Sequence, residues 1–292
     1  MSRLVLPAPA KLNLHLGIHA GRDERGYHRA DSLMVALDVG DEVLVSELPD
    51  AQAPVVACEP PVDVPQEKNT AYRATVALGN RVGRVPSVRI DLRKGVPDQA
   101  GMGGSSSDAA SVLKALCELW GVDAEDARVI EAAREVGADV PFFLDPVPTL
   151  LGGAGDVPVE KFPHFRAPVS VVLVRPKGPG VSTVAAYAAF DEEHEEAGDP
   201  EPLCALLRTG EVSPDALAGL LANNLDPVAC RLLPAVGEVR TWLLQQPDVL
   251  GGQVTGSGSC VFGVCKDDVD AARVADAAQV RFGGWSRAAH IA

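Results

Sequence analysis

The sequence predicts an α+β fold divided between two domains. Segments with the period-two pattern of strands are mixed with segments of helical period, without the strict strand–helix alternation of a βαβ protein. The chain of 292 residues is long for a single hydrophobic core. An apolar strand pattern also starts again after residue 165. We therefore expect an N-terminal domain over residues 1–160 and a C-terminal domain over residues 161–292.

The N-terminal part contains strands and helices with clear patterns. Residues 3–19 alternate between apolar and polar side chains, which predicts a strand with one polar face. Residues 33–48 predict further strand around a turn at Gly40 and Asp41, and the proline-rich residues 49–67 predict loop and edge structure. Helices are predicted over residues 69–79 and 126–136, and a strand over residues 87–92.

The C-terminal part predicts a second mixture of elements. Strands are expected over 169–174 and 261–264, and helices over 217–221, 236–244 and 269–278. Residues 191–202 consist mainly of acidic residues and proline, which is typical of an exposed surface segment.

Composition and charge exclude several classes of protein. A net charge of −14 does not suit a surface that coats nucleic acid, because phosphate contacts need clustered Lys and Arg. No apolar run reaches the length of about 18 residues that a membrane span needs, and no secretory signal is evident. Six scattered cysteines without paired spacing predict reduced, largely buried thiols. We therefore expect a cytoplasmic protein without a nucleic-acid or membrane partner.

A glycine-serine loop that leads into a helix is the most informative motif. Residues 97–113 read PDQAGMGGSSSDAASVL, and apolar residues at helical spacing continue as far as Trp120, before Gly121. The first N–H groups of a helix lack intrahelical acceptors and carry partial positive charge, which favours a bound phosphate. A capping box of Ser105 and Asp108, without any ligand, is the alternative.

Three common loops do not fit this motif. A Walker A loop needs a lysine after its glycines, and none is present here. The dinucleotide fingerprint needs a third glycine where Ser106 stands. The nucleophile elbow G-x-S-x-G is absent too, because Asp108 and Ala109 follow the serines.

Two other segments carry polar side chains suited to catalysis. Lys11 and Asn13 share one strand face, where they would stabilise negative charge and orient a substrate, or else decorate an exposed edge. Asp139 lies in a Gly-Ala-Asp-Val-Pro-Phe segment, in which Pro141 should hold Val140 extended. Such an aspartate can be a general base or an ordinary turn residue.

A second glycine-serine turn, VTGSGSCVF over 254–262, precedes an apolar strand. It can form an ordinary hairpin or offer N–H and hydroxyl donors to a substrate phosphate. His15 and His19 share the strand face of Lys11, but no third ligand at suitable spacing supports a metal site.

These motifs together resemble the GHMP small-molecule kinases. The loop fits the family's central pattern, Pro-x3-Gly-(Leu/Met)-Gly-(Gly/Ser)-Ser-Ser, and the other motifs occur in the family's order. The element Gly26-Tyr27-His28 resembles the cytidyl branch of the family. The resemblance extends from about residue 7 to residue 265.

The resemblance implies an activity and a set of roles. It implies ATP-dependent phosphorylation of the 2-hydroxyl of a cytidyl-diphospho-methylerythritol substrate, by direct in-line transfer, in the methylerythritol phosphate route to isoprenoid precursors. Asp139 matches the general base, and Lys11 the residue that holds this aspartate and polarises the hydroxyl. The substrate-binding residues implied are Asn13, Tyr27, His28, Tyr187, Thr255, Gly256 and Ser257, with the two tyrosine rings on either side of the cytosine.

The resemblance also implies a nucleotide site and a fold. The residues implied to bind ATP are Asn69, Lys94, Pro97, Gly101, Met102, Gly103, Gly104, Ser105, Ser106 and Ser107. Mg2+ would arrive with ATP, held by Ser107 and the phosphates, since no carboxylate is an obvious ligand. The family fold is an N-terminal ribosomal-S5-like domain and a C-terminal ferredoxin-like domain, with the active site between them. We expect a monomer or a homodimer.

Some residues depart from the family pattern, and two other functions stay open. Arg25 stands where the family usually has Asp, Ser105 replaces a frequent glycine, and residues 150–156 match the family's Gly-x-Gly-Glu region only loosely. The first alternative is another GHMP kinase acting on a mevalonate-like or homoserine-like alcohol. The second is a catalytically silent binding protein on the same scaffold.

Overall fold

The structure is a computed structural model that describes residues 3–24, 26–49, 51–165, 169–193 and 195–292. The chain forms two compact units that are interleaved along the sequence. The first unit contains the chain up to Ala10, Val39–Val96 and Gly103–Pro146, and the second contains Lys11–Asp38, Pro97–Met102 and Val147–Ala292. A single domain boundary at residue 160 stays a prediction. Arg25 lies outside the described residues.

Two long strands run through both units, and the described residues of the first unit add two strands, four α-helices and a short 3-10 helix (Gln66–Lys68). The strands are β1 (Arg3–Ile18), β2 (Ala30–Glu47), β3 (Val55–Glu59) and β4 (Val88–Arg93). The helices are α1 (Thr70–Val82), α2 (Gly104–Trp120), α3 (Ala127–Val136) and α4 (Val140–Leu144). Strand β4 pairs antiparallel with Glu42–Glu47 of β2 and parallel with β3.

The alternating pattern of β1 is confirmed, but its polar face is not exposed. Leu12, Leu14 and Ile18 are fully buried, and Lys11 and Asn13 on the other face are only 3% and 2% exposed. Both faces of this strand are therefore covered, and the alternative that Lys11 and Asn13 lie exposed at a sheet edge is wrong.

The turn predicted at Gly40 and Asp41 is wrong, because β2 continues through both residues. Gly40 instead allows the backbone of β2 to approach the backbone of β1 closely. A Cβ at Gly40 would lie 2.1 Å from the carbonyl oxygen of Ala8 and 2.7 Å from Cα of Pro9. A glycine inside a strand therefore marks backbone proximity here rather than a break in the strand.

Helix α2 has the predicted length, and Gly121 ends it in the left-handed region at φ 66°. The alternative capping box of Ser105 and Asp108 is wrong. The N-cap is Gly103, without a side-chain cap, and Asp108 is a buried residue of the helix itself. The expectation for Val140 is also wrong: this residue begins α4, because Pro141 occupies an early helical position where its missing N–H costs nothing.

The second unit contains the remaining elements. Its further strands are β5 (Thr149–Gly152), β6 (Val157–Lys161), β7 (Ser170–Arg175), β8 (Ala222–Asn223), β9 (Val249–Val254), β10 (Val261–Cys265) and β11 (Trp285–His290). Its helices are α5 (Thr183–Glu192), α6 (Glu201–Arg208), α7 (Pro214–Ala218), α8 (Asp226–Leu232), α9 (Pro234–Leu244) and α10 (Asp268–Phe282).

Two sheets result from these strands. The larger sheet has the order β3-β4-β2-β1-β8, and in addition β5 pairs with β2 and β6 pairs with β5. The smaller sheet has the antiparallel order β11-β7-β10-β9, and α7, α9 and α10 from its two crossovers pack against it. This strand–helix–strand–strand–helix–strand arrangement is ferredoxin-like, as expected.

Apolar burial stabilises the second unit around one large cluster. Phe190, Val172, Leu225, Val239 and Val261 lie within it, at most 2% exposed. Residues 191–193 and 195–202 are largely exposed, as predicted, although α5 ends and α6 begins within the acidic segment. Among the described residues, no helix combines the length and apolar character needed to cross a bilayer.

Candidate active site

The glycine-serine loop ends at the beginning of α2, as the sequence predicts. Gly101 and Gly103 have φ values of 75° and 70°, a left-handed conformation that glycine adopts without a Cβ penalty. Gly103 is the N-cap, so that residues 104–107 form the first helical turn. The leading N–H groups of a helix are free of intrahelical acceptors, and this helix is long enough to present a defined positive end. The arrangement suits an anion.

Ser107 differs from the other residues of this turn. Its side chain is fully buried, and its Oγ has no hydrogen-bond partner among the described residues. A buried hydroxyl without a partner is costly, because it has lost its bonds to water. Ser105, in contrast, is exposed, and the hydroxyl of Thr70 donates to its carbonyl oxygen at 2.6 Å.

Lys94 belongs to a buried ionic cluster beside this turn. Its side chain is 8% exposed, and its Nζ contacts Asp41 Oδ2 and lies 2.7 Å from Asp108 Oδ2. Burial alone would lower the pKa of Lys94, but the two carboxylates outweigh it and raise that pKa. Burial raises the pKa of Asp108, and Asp41 adds to this effect, against the opposing influence of Lys94.

Three motifs that are separate in the sequence meet inside the second unit. Lys11 Nζ donates to Asn13 Oδ1, and the backbone N–H of Lys11 donates to the carbonyl oxygen of Met102 at 2.9 Å. Asn13 receives support from Thr255, whose Oγ1 accepts from the Asn13 N–H at 3.2 Å. Asn13 Nδ2 also donates to Ser32 Oγ at 2.8 Å. The lysine and the asparagine are therefore held in fixed positions.

The turn over 254–259 packs against the start of the glycine loop. Gly256 has φ 58°, and a Cβ there would lie 3.3 Å from Lys11 Nζ. The residues that hold this turn were not predicted from the sequence. Asn223 Nδ2 donates to the carbonyl oxygens of Val254 and Gly256 at 2.8 and 2.9 Å, and Asp226 accepts from the Val254 N–H at 2.8 Å. The polar run Asn-Asn-Leu-Asp at 223–226 is the only signal for them in the sequence.

Aromatic rings gather around the Gly-Tyr-His element. The ring centroids of His28 and Tyr187 are 5.6 Å apart, and Phe190 meets His28 edge-on at 5.9 Å. Tyr27 precedes His28 and is 58% exposed. His28 lies 3.0 Å from Asp191 Oδ1 through its Nε2, which adds a missed residue from the acidic segment.

The remaining predicted residues have identifiable local positions. Asp139 is half-buried and forms the N-cap position of α4. Asn69 caps α1 through its Oδ1, which accepts from the Ala71 N–H at 2.9 Å. Ser257 Oγ lies 3.1 Å from Thr183 Oγ1. Pro97 is half-buried and begins the segment that leads to Gly101. The functional roles of all these residues stay predictions.

Comparison with known proteins identifies the family. Residues 69–153 match the model of the GHMP kinases N terminal domain, and residues 196–283 match that of the GHMP kinases C terminal. The chain belongs to the GHMP kinase family. Among these kinases it is 37% identical to a 4-diphosphocytidyl-2-C-methyl-D-erythritol kinase of Geobacter sp. (strain M21), over 99% of both chains. A kinase of the same name from Nocardia farcinica is also 37% identical, over 100% of this chain and 94% of that one.

Solved structures agree with this family membership. A crystal structure of 4-(cytidine 5'-diphospho)-2C-methyl-D-erythritol kinase superposes with a TM-score of 0.78, at 31% identity and 98% coverage of both chains. A homoserine kinase from Cytophaga hutchinsonii and a mevalonate kinase from Methanococcus jannaschii give TM-scores of 0.70 and 0.71 at 18% and 13% identity, which shows the shared fold alone. This GHMP kinase is thus an ATP-dependent small-molecule kinase with the fold of its family.

Proposed function

We propose that this kinase transfers the γ-phosphoryl group of ATP to the 2-hydroxyl of 4-diphosphocytidyl-2-C-methyl-D-erythritol. The observation that carries the proposal is the near-complete coverage of relatives of that name at 37% identity. The mevalonate and homoserine kinases share the fold at far lower identity and give no comparable support for their substrates. A catalytically silent protein is disfavoured, because Lys11, Asp139 and both glycine-serine turns are present.

The aromatic cluster supports a cytidine-containing substrate. Tyr27 offers an exposed ring, and the rings of His28 and Tyr187 pack against each other with their centroids 5.6 Å apart. Aromatic faces stack on bases with a favourable free energy of about 1–3 kcal/mol per base. We propose that the two tyrosines contact the two faces of the cytosine, and that His28 hydrogen-bonds its edge.

The reaction would need little covalent chemistry from the protein. Phosphoryl transfer depends mainly on positioning and on the stabilisation of charge. We propose that Asp139 accepts the proton of the substrate hydroxyl. The oxygen of that hydroxyl then attacks the γ-phosphorus in line with the leaving ADP. Lys11 would stabilise the negative charge that develops on that oxygen, and Asn13 would hydrogen-bond the substrate. The turn over Thr255–Ser257 would donate to the substrate phosphates.

The loop over Gly101–Ser107, together with Pro97, would hold the ATP phosphates, and Asn69 and Lys94 would lie on the nucleotide side. Mg2+ fits this site as a companion of ATP. Within the described residues no group of three His, Cys, Asp or Glu can hold a metal, but Mg2+ takes most of its ligands from phosphates and water. The buried Oγ of Ser107, which has no partner, is suited to be the protein ligand. When bound, Mg2+ would neutralise charge on the phosphates.

We further propose that the protein acts in the cytoplasm within the methylerythritol phosphate route to isoprenoid precursors. Its partner would be a small molecule rather than nucleic acid or membrane, and its assembly a monomer or a homodimer.

The test is the release of ADP by the purified protein with Mg-ATP. Three acceptors are compared: the cytidyl-diphospho-methylerythritol substrate, mevalonate and homoserine. Turnover restricted to the cytidyl substrate is the expected result. Turnover with another alcohol would overturn the substrate and the roles of Tyr27, His28 and Tyr187. Intact ATP binding without turnover on any acceptor would favour a silent binding protein.

A further inference from the structure

Three buried charges connect three elements beside the glycine-serine loop. Asp41 lies on β2, Lys94 directly follows β4, and Asp108 lies on α2. Asp41 is 5% exposed and Asp108 2%, so that neither carboxylate has much contact with water. Lys94 Nζ contacts one oxygen of each. This cluster of Asp41, Lys94 and Asp108 is called the ionic bridge below.

The ionic bridge also holds backbone that leads into the loop. Asp41 Oδ1 accepts the N–H groups of Gly95 and Val96 at 2.6 and 3.0 Å. Pro97, the first residue of the loop motif, follows directly. One carboxylate therefore fixes the segment before the loop with one oxygen and the lysine with the other.

The bridge lies directly against the first turn of α2. A Cβ placed on Gly104 would lie 3.3 Å from Asp41 Oδ2 and 3.7 Å from Lys94 Nζ. A side chain at Gly104 would therefore touch the bridge. A shift of any of the three charged groups would move the start of the helix whose N–H groups face the proposed phosphate site.

We infer that Lys94 serves ATP binding as a positioning residue: the ionic bridge fixes the N-terminal turn of α2 and the segment before the glycine loop in the geometry that receives the phosphates. The inference rests on the proposed function, in which this turn binds ATP. This positioning role takes the place of the direct contact with the nucleotide that the family resemblance implies for Lys94. An ammonium with two carboxylate neighbours and an 8% exposed side chain is suited to hold protein groups together.

The two roles of Lys94 predict opposite responses to removal of a carboxylate charge. If the ammonium contacted ATP directly, Asp41 and Asp108 would compete with the phosphates, and loss of either charge would leave ATP binding unchanged or tighter. If the bridge positions the loop, loss of either charge loosens the loop and weakens ATP binding.

Asp41→Asn is the sharper variant. An amide has one oxygen and one NH2 group, so that it cannot accept from Gly95 and Val96 and also face the Lys94 ammonium with an acceptor. We expect the Kd of ATP to rise about tenfold or more, as small displacements of a positioned group produce, while the affinity for the cytidyl substrate stays unchanged. Asp108→Asn should act in the same direction, and it keeps the test available if Asp41→Asn does not fold.

Ser111→Ala provides the matched control on the same helix. Ser111 is 2% exposed, and its Oγ donates to the carbonyl oxygen of Pro7 at 2.9 Å. Its loss should lower the stability to unfolding and leave the Kd of ATP unaltered, because the bond lies beyond the first turn. Calorimetric titration with ATP and denaturant unfolding are measured for all variants. An unchanged or lower Kd of ATP in folded Asp41→Asn and Asp108→Asn would overturn the inference.

Ser105→Asp separates this inference from the proposed function. An acidic residue in the first turn suits the helix dipole, so that stability is kept, but it repels phosphate from the same N–H groups. If Ser105→Asp leaves the Kd of ATP unchanged, the phosphates do not bind at this turn and the proposed site is wrong. If Ser105→Asp weakens ATP binding and the carboxylate variants do not, only the role of the ionic bridge is wrong.

Discussion

Gly101 offers a stringent test of the contact between the glycine loop and the turn over 254–259. Its φ of 75° lies in the left-handed region, and a Cβ there would lie 2.1 Å from the carbonyl oxygen of Thr255. The same Cβ would lie 3.2 Å from the N atom of Gly258. Gly101→Ala therefore combines backbone strain with a collision against backbone that has little freedom to move.

The two costs can be separated in magnitude. A left-handed conformation costs a residue other than glycine about 1–2 kcal/mol, which is partly offset by about 0.4–1 kcal/mol from the stiffer unfolded chain. Displacement of packed neighbours adds about 1–3 kcal/mol. We expect Gly101→Ala to lower the free energy of unfolding by about 2–4 kcal/mol. Gly121→Ala, at φ 66° with no atom within 4 Å, should cost only about 1 kcal/mol.

Denaturant unfolding of the wild type and both variants measures this difference, and steady-state kinetics measures its effect on the site. Because Thr255 also contacts Asn13, the shift in Gly101→Ala should reduce kcat/KM, whereas Gly121→Ala should not. Equal stability losses in the two variants would refute the reasoning, since the close approach would then have no energetic consequence.

Three further predictions concern catalysis, specificity and pH. Asp139→Asn should bind both substrates and lose most of its turnover; a kcat near that of the wild type would exclude this residue as the base. Tyr187→Ala should raise KM for the cytidyl substrate and leave KM for ATP unchanged, as measured by initial rates; equal effects on both would contradict its assignment to the base. Hydrogen bonds to Asp38 and Asp268 raise the pKa of His290, so its stabilising contribution is present below about pH 6.5 and lost as pH rises through the folded pKa. Unfolding midpoints of the wild type and His290→Gln, compared from acidic to alkaline pH, should converge on the alkaline side, and a constant difference would contradict this account.

The elements that the sequence predicts well have patterns decided by their own residues. Strand β1 alternates clearly, and α2 has a complete apolar stripe between two glycines. Elements with interrupted patterns were missed or misinterpreted. Strand β9 contains Gly251 and Gly252, and a Cβ at Gly252 would lie 2.4 Å from the carbonyl oxygen of Phe262. Such glycines mark close approach to a partner strand that cannot be identified from the local sequence.

The residues of the candidate site also differ in how far the local sequence predicts them. Lys11, Asn13 and the two glycine-serine turns could be predicted because they occur in recognisable motifs. Asp41 and Asn223 could not, because their significance depends on partners distant in sequence. Asp41 acts on residues 94–96, and Asn223 holds the turn over 254–259. An isolated aspartate or asparagine carries no signal of the backbone groups that it will satisfy.

The interleaving of the two compact units constrains how the gene can be divided. A recombination event at residue 160 would give a C-terminal fragment without Lys11–Asp38, although these residues belong to the same unit. Strand β8 of that fragment would lose its pairing with His15 and Leu16, and the turn over 254–259 would lose Asn13. Shuffling of this unit as a cassette therefore requires Lys11–Asp38 and Pro97–Met102 to be inherited together with residues 147–292, despite the long stretches of chain between them.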